Sequence, residues 1–379
     1  NDVVTEKGSV INLSGGTLDV QSGFIRQSWL RGADGRLYEV SRAPGDILYT
    51  GLYKGYEDHS ERWGQTRYFF NPLIAPRQRF ETGYSVGRDA GLLVIATNNA
   101  VLDGQLVGDV FQGERQIQAP RAGLDGYDQA QTARARRAQL IVGTYDPSWS
   151  ATTNGLVYQH LAMLDQVQIG GERPADGSDL GLTGAVSDDR KGKLFLDTDM
   201  VNGFRLGALK VAAKDKVEVN EAVTVDTGGD ITLYGQDVRV NADLTARAGS
   251  LHLGNQLAQT SKPTHTTVAE GVHLDTRGLW VNARIDPTDA NNLAYLNGGL
   301  VSIRSTGDIT VASGSVIDVS SGGAVLSNGK TRGGKGGDAS LESSADTLPG
   351  QSQLVMDGDV RGYGVTGGGT LKIQANKVL

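Results

Sequence analysis

From residue 217 onward the chain is written in three-residue units of apolar, polar, apolar: Val217-Glu-Val219, Val223-Thr-Val225, Ile231-Thr-Leu233, Val238-Arg-Val240, Leu244-Thr-Ala246 and Leu251-His-Leu253. A period of two puts the outer members of each unit on one side of an extended strand and the middle residue on the other. Glycine, asparagine and aspartate fill the gaps, which marks them as turns. The units start 6, 8, 7, 6 and 7 residues apart, so any three consecutive steps span 20 or 21 residues. Strands this short cannot sustain a meander of hairpins, whereas stacking each one on its counterpart a three-sided coil later pairs them all. The pattern predicts a parallel β-helix that buries the apolar pairs and presents Glu218, Thr224, Thr232, Arg239, Thr245 and His252 on its wall.

The same grammar resumes at Val301-Ser-Ile303, Ile309-Thr-Val311, Ile317-Asp-Val319 and Leu371-Lys-Ile373. Near the other end, Gly8-Ser-Val-Ile-Asn-Leu-Ser-Gly-Gly16 nearly repeats as Gly314-Ser-Val-Ile-Asp-Val-Ser-Ser-Gly-Gly323, so both regions read as one design. Residues 1–23, 91–120 and 205–379 are therefore assigned to the solenoid, with about eight coils over 205–379 at roughly 4.8 Å per coil. Between them the period fails. Residues 24–90 hold 12 of the 23 aromatic residues and read as an insertion with its own small core. Residues 121–204 read as an irregular excursion, with short helices over 128–140 and 157–164 and a loop over 171–192. The expected fold is all-β, a three-sided solenoid with an aromatic-rich insertion and a few short helices.

Composition narrows the function. Cysteine is absent, which removes disulfides, thiolate metal sites and cysteine nucleophiles and accords with export through an oxidising compartment. Glycine at 53 residues with no collagen period fits many tight turns. A net charge of −7 gives no general attraction to nucleic acid or anionic lipid. No apolar run approaches the roughly 18 residues needed to span a bilayer, so membrane insertion is not expected. The chain opens at Asn1 with no charged-then-apolar leader, which reads as a mature or internal segment.

The segments Gly8–Gly16, Gly307-Asp-Ile-Thr-Val311 and Gly333-Gly-Lys-Gly-Gly-Asp-Ala-Ser-Leu341 resemble the large exoproteins of the filamentous haemagglutinin family, which leave the cell by two-partner secretion. Trp29-Leu-Arg-Gly-Ala-Asp-Gly-Arg-Leu-Tyr38 is similar to an aromatic block in later parts of such proteins. The resemblance implies a right-handed parallel β-helix, a secreted or cell-surface location, and roles in attachment, biofilm formation, virulence or contact between cells. It implies a host or bacterial receptor or glycan as partner, and an outer-membrane transporter engaged by a region outside this chain. The Asn-Pro-Asn signature of the family's secretion domain is missing; only Asn71-Pro-Leu73 stands here. A monomer without cofactor is expected.

Two alternatives share the scaffold: a polysaccharide-active enzyme, lyase or glycoside hydrolase, and the stick of a contact-dependent toxin-delivery protein. For the enzyme, Asp188-Asp189 and Asp197-Thr-Asp199 are the candidate paired carboxyls. His252 and His273 lie 21 residues apart, one coil, and with His265 offer a metal site against the plain reading of stacked wall residues. The glycine run 333–341 is similar to a calcium nonapeptide, or is a plain loop. Arg134-Ala-Arg-Arg137 is a processing site, an anion-binding patch or a solvated basic helix face. The strongest candidates for partner contact are Tyr53, Tyr56, Trp63, Arg67 and Tyr68, because tyrosine, tryptophan and arginine dominate recognition hot spots. Their competing role is to form the core of the insertion.

Overall fold

A computed structural model describes residues 2–122, 128–143, 147–150, 155–158, 164–172, 186–203, 205–255, 263–343 and 352–379. Three parallel sheets run side by side. The first stacks Leu92–Ile95, Gln139–Val142, Ala208–Ala212, Asp230–Tyr234, Ser250–Leu253, Leu300–Ser305, Asp338–Ser343 and Thr370–Ala375. The second stacks Lys193–Leu196, Gln166–Ile169, Lys216–Val219, Asp237–Val240, His265–Val268, Ile309–Val311 and Leu354–Met356. The third stacks Val223–Thr224, Leu244–Thr245, His273–Asp275, Val316–Asp318 and Asp359–Arg361. Successive segments visit the three sheets in turn, so the chain is a three-sided parallel β-helix. Eight strands at a lateral spacing of about 4.8 Å make the first sheet about 34 Å long.

The alternation has the predicted consequence inside. Val217, Val219, Val223, Ile231, Leu233, Val238, Val240, Leu244, Leu251 and Leu253 are all 0% exposed and belong to one continuous apolar cluster. Of the middle residues, Thr224 and Arg239 are exposed and Glu218, Thr245 and His252 half-buried. Thr232 is buried, because its hydroxyl donates to Asp230 Oδ1 (2.7 Å) and its strand is covered by neighbours on both sides. Leu371 and Ile373 are exposed: they lie on the last strand of the first sheet, with no further coil above them in this chain.

Glycine does more than turn the chain. Gly207, Gly229, Gly249, Gly299, Gly337 and Gly369 each stand immediately before a strand of the first sheet, one above another. A Cβ on any of the last five would collide with the carbonyl oxygen of the glycine one coil below. That carbonyl is bonded: the amides of Asp230, Ser250, Leu300, Asp338 and Thr370 donate to Gly207, Gly229, Gly249, Gly299 and Gly337 at 2.9–3.2 Å. Glycine is thus required by close backbone approach at this corner.

Among the described residues the first sheet has six strands between 205 and 379, so this region builds six coils rather than the eight expected. Excursions account for the difference: 50 residues separate Ser250 from Leu300, the strand Trp280–Ile285 and the helix Ala290–Leu293 among them, where a plain coil takes 20. The expected histidine register fails as well. His252 stands on the first sheet, His265 on the second and His273 on the third, so they do not stack. Among the described residues no cluster of three metal-ligating side chains occurs.

At the other end, Asp2–Thr5 pairs in parallel with Asn99–Leu102, and Val10–Asn12 with Gln105–Val107, which places residues 2–12 in the solenoid. Residues 17–20, expected to continue it, turn antiparallel instead. The run 128–140 is extended rather than helical, ending in the strand Gln139–Val142. The predicted helix 157–164 begins inside a strand, Gly155–Tyr158; residues 159–163, and 173–185 of the predicted loop, lie outside the described residues. Over 128–140 alanine and glutamine helix propensity yields to tertiary contacts. Lys193–Leu196 is later in sequence than Gln166–Ile169 yet stacks on its far side. The helix Thr198–Gly203 then stands where a third-sheet strand would be. Its Asn202 supplies the missing ladder bonds, donating to Ala222 O (2.9 Å) and accepting from Thr224 N (2.9 Å).

Candidate functional site

Residues 17–87 leave the solenoid as an antiparallel arm. Thr17–Val20 pairs with Tyr84–Gly87 and Gly23–Arg26 with Gln78–Glu81. Beyond them lie a three-stranded sheet of Leu37–Glu39, Trp29–Gly32 and Tyr49–Leu52 and a hairpin of Tyr56–Ser60 and Gln65–Phe69. Among the described residues, strands 17–87 pair only with one another. Alternating polar and aromatic residues with β-branched neighbours suit such ribbons, but their short, irregular runs hide the period from a sequence reading.

The arm is fixed at its root by Gln116, 1% exposed in the short helix Glu114–Ile117. Its Oε1 accepts from the amides of Gly87 (2.8 Å) and Gly113 (2.7 Å), and its Nε2 donates to Gly87 O (3.1 Å) and Ala133 O (2.9 Å). One amide therefore ties the last strand of the arm to two loops. Arg115 reinforces it, with its guanidinium 3.4 Å from the Tyr84 ring centroid and Nη1 2.7 Å from Glu81 Oε1. Nothing in the local sequence marks this glutamine; the signal lies in tertiary contacts.

The expected core of the insertion does not form. Neither buried apolar cluster contains a residue of the arm, and its buried side chains include Ala75, Gln27 and Glu39. Burial pushes the Glu39 carboxyl upward, but the Ser41 hydroxyl at 2.7 Å and the charges of Arg79 and Arg42 outweigh it and lower the group below its ordinary value. On one face Tyr38 and Tyr49 meet edge to face at 5.7 Å, and Tyr38 Oη donates to Asp34 Oδ2 (2.5 Å), which lowers the acid and raises the phenol. On the other, Tyr53 is half-buried, with Arg31 5.9 Å and Phe70 6.3 Å from its ring centroid.

The hairpin carries the exposed rings. Tyr56 is 66% exposed, Trp63 72% and Tyr68 54%. The register sets Tyr56 opposite Phe69 and Asp58 opposite Arg67, so these four share one face. Tyr68 points to the opposite face with His59 and Thr66, which are joined by a 3.0 Å hydrogen bond. Trp63 sits in the turn, with the Arg62 guanidinium 5.3 Å from its ring. The five residues singled out from sequence are thus separated: Tyr56 and Arg67 on one face, joined by the unforeseen Phe69, Tyr68 behind, Trp63 at the tip, and Tyr53 packed in the sheet.

The acidic pairs make local contacts. Asp188 is paired with Lys191 at 2.5 Å, and Asp189 is held below the usual carboxylate range by the Ser187 hydroxyl. Asp197 follows the strand Lys193–Leu196 and accepts from Asp199 N (2.9 Å), while Asp199 lies in the helix, so the two do not share a strand face. The run 333–341 contributes Gly336 and Gly337 to close backbone packing. What fold and site define together is a parallel β-helix bearing a clamped antiparallel arm with exposed rings at its hairpin. No protein-family model, curated protein or solved structure matches the chain.

Proposed function

We propose that this chain is a non-catalytic segment of a secreted bacterial surface adhesin, in which the solenoid is a rigid stalk and the arm the contact element for a cell-surface receptor or glycan. The observation that carries the reading is the hairpin: four large rings more than half exposed, Tyr56 and Phe69 beside Arg67 on one face, on an arm with no apolar core to occupy them. Exposed apolar surface of this kind is a mark of recognition. Rings with polar edges stack on sugar faces or on a protein partner, and a few such anchors supply most of a contact's free energy. The solenoid wall offers short polar side chains repeated at each coil, with less to distinguish one spot from another. The resemblance to filamentous haemagglutinins points the same way and adds two-partner secretion and the cell surface as expectations.

Alanine at Tyr56, Trp63, Arg67 and Phe69 tests the proposal, in binding of the full chain to glycan arrays and to epithelial and bacterial cells. The expected outcome is loss of attachment, roughly tenfold or more per anchor, with an unchanged melting curve. Attachment that survives all four substitutions refutes the arm as the contact element.

A further inference from the structure

The run Arg134-Ala-Arg-Arg137 crosses the wall of the solenoid in extended form. Its backbone is pinned: Ala135 exchanges two hydrogen bonds with the Gln112 side chain (2.8 and 3.0 Å), and Arg136 N donates to Asp89 Oδ1 (2.8 Å). Between this run and the first sheet lies a groove of about 710 Å³, lined by Arg134, Arg136, Arg137, Lys210, Asp226 and Tyr295 among others. A second recess of about 370 Å³ shares Lys210 and Asp230 and adds Thr232, Tyr234 and His252 with the apolar Ile141, Val142, Val211 and Ala212. Each is within the roughly 300–1,000 Å³ of small-molecule sites.

Four cations face two carboxylates in the groove, on a chain of net charge −7. The carboxylates are already engaged. Asp226 takes Arg137 Nε at 3.4 Å, and Asp230 accepts the hydroxyls of Thr232 and Ser250, both at 2.7 Å, with Lys210 Nζ at 4.0 Å. Arg134 donates to a neutral amide, Asn292 Oδ1 (2.5 Å), and Arg136 meets no carboxylate at ion-pair distance among the described residues. Arg137 also reaches Asp109 (3.7 Å) and the charge of Arg134 helps to lower buried Asp289, so the cation left over in the groove is Arg136, beside the half-exposed ring of Tyr295.

We propose that this groove binds an acidic oligosaccharide, a chain of uronate sugars, with Arg136 and Lys210 on its carboxylates and Tyr295 against a sugar ring. A guanidinium or ammonium takes a carboxylate through charge-assisted bonds, while Asp226 and Asp230 have lone pairs left for hydroxyls. An acidic peptide fits less well. The strands Gln139–Val142, Ala208–Ala212 and Asp230–Tyr234 are consecutive in the sheet, so no open edge is offered for main-chain pairing. The site is independent of the hairpin.

Calorimetric titration of the full chain with hexagalacturonate, its methyl-esterified counterpart and poly-glutamate tests the proposal. Hexagalacturonate should bind, weaken as salt is raised, and protect residues 207–212 and 226–230 from hydrogen exchange. Arg136→Ala and Lys210→Ala, both at exposed side chains, should each weaken it roughly tenfold, while Tyr56→Ala should leave it unchanged. No binding, equal binding of the methyl ester or of poly-glutamate, or full affinity in both groove variants would overturn it.

Discussion

Gly249→Ala adds one methyl group to the glycine ladder, at the corner where coils come closest. The new Cβ would lie 2.9 Å from Gly229 N and 3.0 Å from Gly229 C, and closer still to Gly229 O, the acceptor of the Ser250 amide at 2.9 Å. Gly249 is not among the positive-φ residues, so the cost is steric and not conformational. Relief requires the two coils to part by about an ångström. Overpacking of this kind costs about 1–3 kcal/mol, and loss of the Ser250 bond adds about 0.5–1.5 kcal/mol. Alanine returns about 0.4–1 kcal/mol by restricting the unfolded chain. The net loss is about 2 kcal/mol, a large share of the roughly 5–15 kcal/mol that holds a typical domain folded. Gly16→Ala is the control, since a Cβ there meets nothing within 4 Å. Guanidinium unfolding followed by circular dichroism should give a lower midpoint for Gly249→Ala alone, with faster exchange at Ser250. Equal midpoints and unchanged Ser250 protection would refute the steric argument.

Three further outcomes follow from the packing. Val240→Asp buries an unpaired charge at a position 0% exposed and should cost several kcal/mol; Arg239→Asp, at an exposed side chain bonded to Asp237, should stay within about 1 kcal/mol, and equal loss in melting temperature would contradict the assigned faces. Gln116→Ala should cost about 2 kcal/mol or more, by orphaning polar groups at the arm root, and hydrogen exchange should rise first at residues 84–87. Burial raises the Glu342 carboxyl, but bonds from Lys372 and Ser340 and the charge of Arg304 outweigh this and depress it below its ordinary 4.5. Unfolded chains therefore bind the proton more readily, so this contribution is complete above about pH 4.5 and declines as pH falls through the folded value. Glu342→Gln should flatten that part of the pH–stability curve, and an unchanged curve would remove Glu342 as its source.

The solenoid was legible because its rule is local. A unit such as Val238-Arg-Val240 declares which residues go inside, and the spacing of the units closes the coil without reference to distant sequence. What the spacing cannot show is an interruption: His252 and His273, both between Ser250 and Leu300, stand on different sheets. The glycine ladder was visible only as abundant glycine, since Gly229 and Gly249 matter through each other's backbone. In the arm, aromatic density marked the right stretch, but assigned it an interior it lacks. The faces of Tyr56 and Tyr68 depend on the register across the turn at Trp63, and that register is fixed by pairing rather than by composition. Gln116 and Arg136 were unreadable as partners of Gly87 and of the groove for the same reason.

The contact role of the arm is tested most directly by footprinting the full chain bound to whole cells, using hydroxyl radicals read out by mass spectrometry. Protection concentrated on Tyr56, Trp63, Arg67 and Phe69, with Tyr53 and the wall residue Arg239 unchanged, is the predicted result. Protection spread along the solenoid wall with the hairpin rings still fully reactive would contradict it.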